Sequence, residues 1–277
     1  MSAVLRVGFV GLGSQGGPMA QQIIDAGFAT TVWARRPEQA APFAARGAAV
    51  APDKAGLGAA SDVLCVCVVA DADLDAVLRG PEGALAGMAP GGTVVVHSTV
   101  HPETCRRLQT DFPGLHVLDA PVSGGGHKAA SRELLVMVGG PLEVLERCRP
   151  VLETFAGPLL HLGPLGAGLE AKLLNNAVFT AQLGLAADAF AIAVDRGLDP
   201  QALATVLRAG SGRSYAADIV AGGDHRLQGM ADVAGQLLAK DVNLLRELLA
   251  PRCPGLLGAA DSTLATMGLT ATEGTEA

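Results

Sequence analysis

Residues Val7-Gly8-Phe9-Val10-Gly11-Leu12-Gly13-Ser14-Gln15-Gly16-Gly17 run from a β-rich apolar stretch through G-x-G-x-x-G into a segment of helical length. No other feature of this 277-residue chain restricts its fold as strongly. Gly11 permits a tight turn, Gly13 lets backbone approach a bulky anion, and Gly16 lets helix and strand pack closely. The N–H groups at the start of the helix have no intrahelical acceptors, and together with the helix dipole they favour a phosphate there. The motif marks a dinucleotide site when it follows a strand, opens a helix and sits in a βαβ series.

The first half supplies that series. Apolar runs at Val4–Val10, Thr30–Trp33, Val63–Val69, Thr93–His97, His116–Leu118 and Leu134–Val138 alternate with helical stretches such as Gly17–Ala26, Pro37–Ala45, Leu74–Leu78 and Pro102–Asp111. Strands alternating with helices predict a mostly parallel, doubly wound α/β domain of Rossmann type over residues 1–163.

Beyond Gly163 no strand is predicted, so residues 164–277 form a second, all-α domain. Gly168 to Arg196 reads as one linking helix of about 29 residues, roughly 43 Å long. Gly197 is placed to cap it, and Pro200 to begin the next helix. So long a helix needs apolar cover, which predicts a homodimer or homotetramer. It does not read as a membrane span, because Thr180, Gln182, Gly184 and Asp188 interrupt its most apolar stretch, Ala177–Val194. The opening dozen residues lack a signal-type cleavage site and read as a strand. Thr270–Ala277 is small and polar and is expected to fray.

Twenty basic against 27 acidic residues leave a net charge of −7, which argues against a nucleic-acid or anionic-membrane partner. Cys65, Cys67, Cys105, Cys148 and Cys253 have no metal-type spacing and read as thiols in a reducing cytoplasm. The six histidines show no ligand pattern, so no metal is expected.

At the end of the second strand the chain reads Val32-Trp33-Ala34-Arg35-Arg36-Pro37. An acid here would accept hydrogen bonds from the ribose hydroxyls of NAD. Two guanidinium groups instead suit a 2′-phosphate. NADP is therefore expected, with NAD as the alternative. On the long helix, Lys172 and Asn176 are i and i+4 and share a face. An ammonium there can stabilise and protonate an alkoxide. Asn175 and Asn176 are poor helix formers with no stabilising reason to sit mid-helix. The Ser123-Gly124-Gly125-Gly126 loop offers a hydroxyl and unencumbered N–H groups, which suit a carboxylate. His127 and Lys128 beside it read as solvated.

These segments together resemble one family. Gly8-Phe9-Val10-Gly11-Leu12-Gly13, Gly16 and Pro18-Met19-Ala20 resemble the opening motif of the β-hydroxyacid dehydrogenases, which include 3-hydroxyisobutyrate dehydrogenase and tartronate semialdehyde reductase. Ser98-Thr99-Val100-His101-Pro102 is similar to their S-T-x-x-P element. Asp119-Ala120-Pro121-Val122-Ser123-Gly124-Gly125 matches their substrate loop, and Met137-Val138-Gly139-Gly140 the strand after it. Gly166, Gly168, Lys172, Asn175 and Asn176 resemble their catalytic helix, and Lys240-Asp241 a late Lys-Asp pair.

The resemblance implies a hydride transfer between nicotinamide and a small β-hydroxyacid or semialdehyde, a carboxylate substrate. Lys172 would be the acid or base, and Asn176 would hold the substrate. Ser123, Gly124, Gly125 and Asn175 would complete the substrate contacts. Gly11, Leu12, Gly13, Ser14, Gln15, Gly16, Ala34, Arg35, Arg36, Val68, Val69, Thr99 and Lys240 would line the cofactor. The chain departs from the family at Val96, where an acid is usual, at Ala34 for asparagine, and at Arg132-Glu133 for Gly-Thr. An imine reductase would share the architecture but usually lacks the lysine. A non-catalytic NADP-binding regulator would have no reason to keep Lys172, Asn176 and Ser123.

Overall fold

A computed structural model of the chain describes residues 5–249 and 253–269. It divides after Lys172 into two compact units.

The first unit is built on a nine-stranded sheet: β1 (Arg6–Val10), β2 (Ala29–Trp33), β3 (Ala49–Val50), β4 (Val63–Val66), β5 (Thr93–Val96), β6 (His116–Asp119), β7 (Val122–Ser123), β8 (Leu134–Gly139) and β9 (Ala156–Gly163). The order is β3-β2-β1-β4-β5-β6-β8-β7, with β9 on the other side of β8. The six strands from β3 to β6 are all parallel, and β8 runs antiparallel to β6 and β7. This is the expected doubly wound α/β arrangement.

Alternation along the strands explains why both faces are covered. Val63 and Cys65 enter one core with Phe9, Met19 and Ile23, whereas Leu64 and Val66 enter another with Leu74, Cys105 and Leu108. Successive strand side chains point to opposite faces, so a strand buried on both sides reads as an unbroken apolar run. β4 (Val-Leu-Cys-Val) and β5 (Thr-Val-Val-Val) are buried at every residue.

Several local expectations need correction. The third long apolar run ends as a strand at Val66 rather than Val69, because the Val68 amide donates to Ser98 Oγ (2.7 Å) instead of a strand. Pro37–Ala45 is a 3₁₀ turn, Pro37–Gln39, followed by the short helix Ala41–Ala44. β3 and β7 have two residues each, too short for a periodic signal. β9 carries Gly157 and Pro158, which argue against a strand. It forms at the sheet edge, where a missing proline N–H leaves no ladder bond unmade.

The long helix spans Ala167–Asp195, one residue off the predicted range. It ends as expected: Gly197 takes φ +70°, the Gly197 amide donates to Val194 O (3.0 Å), and that of Leu198 to Ala193 O (2.8 Å). Asp199 then caps the helix Pro200–Ala209 through the Gln201 amide.

The second unit contains the helices after Leu173 around a core that includes Leu183, Phe190, Val220, Val242 and Leu264. Among the described residues it contains no strand. Thr270–Ala277 lies outside the described residues.

Candidate active site

In the first unit, β1, β4 and β5 are neighbours, so the loops after their carboxyl ends share one edge of the sheet. Strand order reverses between β1 and β4, and in such sheets ligands bind in the crevice outside that point. The glycine turn, Val68-Val69 and Ser98-Thr99 all lie there, with Ala34-Arg35-Arg36 after the adjoining β2.

The three motif glycines have separate jobs. Gly11 adopts φ +95°, and a Cβ on it would overlap the Cys67 carbonyl. A Cβ on Gly16 would overlap the Gly11 carbonyl oxygen. Gly13 has nothing within 4 Å of where its Cβ would be, which leaves an open cradle. Helix Gly16–Asp25 begins beside it with no acid in its first turn and no side-chain cap on Gln15. The Gln15 Nε2 is buried without a hydrogen-bond partner. Open space, unfilled donors and the positive helix end fit a pyrophosphate. Leu12, Val68 and Thr99 are half-buried, whereas Ser14 and Val69 are exposed. Arg35 and Arg36 are exposed. Arg36 meets Glu38 only at 3.9 Å with both side chains largely solvated, an arrangement that scarcely competes for the guanidinium.

The predicted substrate loop is packed against this turn. Gly124 (φ +134°) and Gly125 (φ +72°) start the helix Gly125–Ala130, and a Cβ on Gly126 would overlap the Ser14 carbonyl oxygen. Ser123 ends β7, held by pairing of Val122 and Ser123 with Val136 and Leu135.

Three supporting side chains carry no signal of their role in the sequence, although two of them lie inside the motifs above. Asp119, at the head of the loop motif, is fully buried; it accepts from the Gly166 amide at 2.6 Å and the Leu169 amide at 2.7 Å. Burial raises its carboxyl above the ordinary pKa, against the lowering effect of those amides and that of Gly168. Gly139 and Gly168 make room for this carboxylate: a Cβ on either would crowd an Asp119 oxygen, at 2.8 Å from Oδ2 for Gly168, where it would also overlap the Met137 carbonyl oxygen. Lys172 follows on the long helix and is buried.

His97 is buried between the rings of Phe9 (6.4 Å) and Phe155 (5.5 Å), and its Nδ1 lies 2.8 Å from the Ala120 carbonyl. A carbonyl only accepts, so Nδ1 carries the proton. Burial lowers its pKa to about 4.

In the second unit, Asn176 is buried and its Nδ2 donates to Asp241 Oδ2 at 2.6 Å. Asn175 Nδ2 donates to Asn176 Oδ1 at 3.1 Å, and Lys240 Nζ pairs with Asp241 Oδ1 at 2.8 Å. Asp241 thus joins Asn176 to Lys240. The Lys-Asp doublet was visible in the sequence, but the carboxylate's partner was not. Among the described residues, no cluster of three His, Cys, Asp or Glu could hold a metal.

Two family models match the chain. One, described as the NAD binding domain of 6-phosphogluconate dehydrogenase, covers residues 6–163. The other, described as NAD-binding of NADP-dependent 3-hydroxyisobutyrate dehydrogenase, covers residues 166–269. An NAD-dependent L-serine dehydrogenase from Pseudomonas aeruginosa is 34% identical over 87% of this chain and 84% of its own length. The solved structure of Mycobacterium tuberculosis 3-hydroxyisobutyrate dehydrogenase with L-serine superposes with a TM-score of 0.83 at 29% identity, covering 96% of this chain and 94% of that one. Psf3 in complex with NADP+ and 2-OPP gives 0.82 at 29% identity, over 94% and 93%. The chain is a member of the 3-hydroxyisobutyrate dehydrogenase family of NAD(P)-binding hydroxyacid dehydrogenases.

Proposed function

We propose that this protein is an NADP(H)-dependent reductase or dehydrogenase of a small β-hydroxyacid and its semialdehyde. The observation that carries this reading is the buried Lys172 one helical turn before a buried Asn176 whose amide is fixed by Asp241. When bound, the nicotinamide supplies or accepts the hydride. In the reducing direction Lys172 gives a proton to the carbonyl oxygen as it becomes an alkoxide, and in the oxidising direction it takes that proton back. Asn176, with Asn175 beside it, donates to a substrate oxygen. The Ser123 hydroxyl and the backbone N–H groups at Gly124 and Gly125 hold the carboxylate. Gly11–Gly16 would cradle the pyrophosphate, Val68 and Val69 would lie along the cofactor, and Thr99 and Lys240 would contact it. Arg35 and Arg36, flanked by Ala34, would pair with the 2′-phosphate. We place residues 1–163 as the dinucleotide domain and 164–277 as the substrate and dimerisation domain.

Exposed Val178, Leu185 and Ile192 recur every seven residues along the long helix, with Leu174 beside them. A seam of that period is self-complementary about a two-fold axis, which supports a homodimer or homotetramer. Free thiols at all five cysteines suit a reducing cytoplasm.

The test is NADPH oxidation against glyoxylate and succinic, methylmalonic and tartronic semialdehydes, with 3-hydroxyisobutyrate and L-serine plus NADP+ for the reverse direction. Replacing Lys172 with Ala should reduce turnover by about 10²- to 10⁴-fold while NADPH still binds. Undiminished turnover removes Lys172 from its role. Equal use of NADH removes Arg35 and Arg36 from theirs.

A further inference from the structure

We propose that Asp119 is a positioning residue that holds Lys172 in register with the carboxylate loop at Ser123; this rests on the roles given to Lys172 and Ser123 above.

The carboxylate bridges two segments far apart in sequence. Its oxygens take the amides of Gly166 and Leu169, 47 and 50 residues away. The first four N–H groups of a helix lack intrahelical acceptors, and an anion there also suits the dipole. A short local side chain would cap the helix equally well. A cap supplied from β6 does something more, because it ties the start of the helix to the strand that leads into the substrate loop. Lys172 lies three residues beyond Leu169, so the first turn sets where its side chain begins.

Toward Ser123 the connection is stiff. The Ala120 amide donates to Val96 O (2.8 Å), and the Ala120 carbonyl accepts from His97 Nδ1 (2.8 Å). The Met137 amide donates to Pro121 O (3.0 Å), and Pro121 has a ring-locked φ. Val122 and Ser123 are then paired to β8. One side chain and four pinned residues therefore link the group that binds the carboxylate to the group that moves the proton. Arg106 steadies the same helix start through Leu165 O (3.2 Å) and Glu170 (2.8 Å). Gly139 and Gly168 keep the carboxylate's space clear.

The experiment compares Asp119→Asn and Gly168→Ala with the unaltered full-length protein. It measures kcat, KM, the NADPH Kd by fluorescence, and the isotope effect on kcat with deuterated NADPH. Asp119→Asn keeps the shape but turns a donor toward an amide; Gly168→Ala keeps the charge but crowds Oδ2 and the Met137 carbonyl, so the two variants disturb the same contact by different routes. Misplacing a reacting group by about 1 Å can lower a rate roughly 100-fold. Both variants should lose about 10- to 100-fold in kcat, with KM and Kd within about threefold and a larger isotope effect. A kcat within about twofold of the parent overturns the proposal, as does a loss of NADPH binding that matches the loss of kcat. If Asp119→Asn does not fold, Asp119→Glu and Gly168→Ala are read by the same split, and failure of every variant to fold assigns Asp119 to stability and overturns the proposal. Lys172→Ala separates the two readings. If it stays active, the assigned chemistry fails. If it is inactive while the Asp119 variants are normal, only the present inference fails.

Discussion

Asn176 Nδ2 lies 2.6 Å from Asp241 Oδ2, and both side chains are buried. A carboxylate accepts and never donates when ionised, so it fixes which end of the amide faces it. Asn175 donates to the amide oxygen, and the second N–H of Asn176 is the donor that the proposed function assigns to substrate.

Asp241→Ala should therefore act at a distance from the chemistry. Hydrogen bonds to charged groups contribute about 1.5–3 kcal/mol, equivalent to roughly 10- to 100-fold. The expected loss in kcat/KM for the carboxylate substrate is of that size, measured by steady-state kinetics on the folded variant. A loss below about threefold would remove Asp241 from this role.

Gly11 and Gly13 should separate folding from cofactor binding. Gly11→Ala forces a Cβ into the Cys67 carbonyl at φ +95°, so poor folding is expected. Gly13→Ala meets nothing within 4 Å. Its melting temperature should match the parent within about 2 °C, while NADPH affinity drops about tenfold or more. Thermal melts with and without NADPH test this; a Gly13→Ala protein with normal affinity would mean that no ligand occupies the cradle.

Arg132 stands where the family usually has glycine, and it keeps the left-handed turn at φ +61°. The reason is the helix end: the Arg132 amide donates to Ala129 O (3.2 Å) and the Glu133 amide to Lys128 O (2.8 Å), a pairing that needs a left-handed residue. Arg132 Nε also donates to Gln22 Oε1 at 2.7 Å. Left-handed backbone costs a non-glycine residue about 1 kcal/mol or more. Urea denaturation should find Arg132→Gly about 1 kcal/mol more stable than Arg132→Ala, and equal stabilities would refute the strain.

His97 predicts a pH dependence. Its pKa falls from 6.5 to about 4 because burial disfavours the charged ring. Below pH 6.5 the unfolded chain binds a proton that the folded protein refuses, so stability falls as pH drops from 6.5 toward 4. The shift amounts to about 3 kcal/mol. Replacing His97 with Gln keeps a donor but does not titrate, and should flatten the unfolding free energy across that window. An unchanged slope would assign the acid sensitivity elsewhere.

The features legible in the sequence are those settled by local backbone geometry. The turn at Gly11–Gly16, the buried parallel strands, the cap at Gly197 and the helix start at Pro200 each depend on residues within a few positions of one another. The pattern also pointed to Lys172 and Asn176 on one helix face. What the tertiary structure decided are the partners: Asp119 for the Gly166 and Leu169 amides, Asp241 for Asn176, His97 for Ala120, and β9 for β8 despite Gly157 and Pro158. A buried carboxylate or imidazole does not announce its partner in sequence, because the low-dielectric interior demands only that some partner exist. Which segments converge to provide it is settled when the sheet and helices pack.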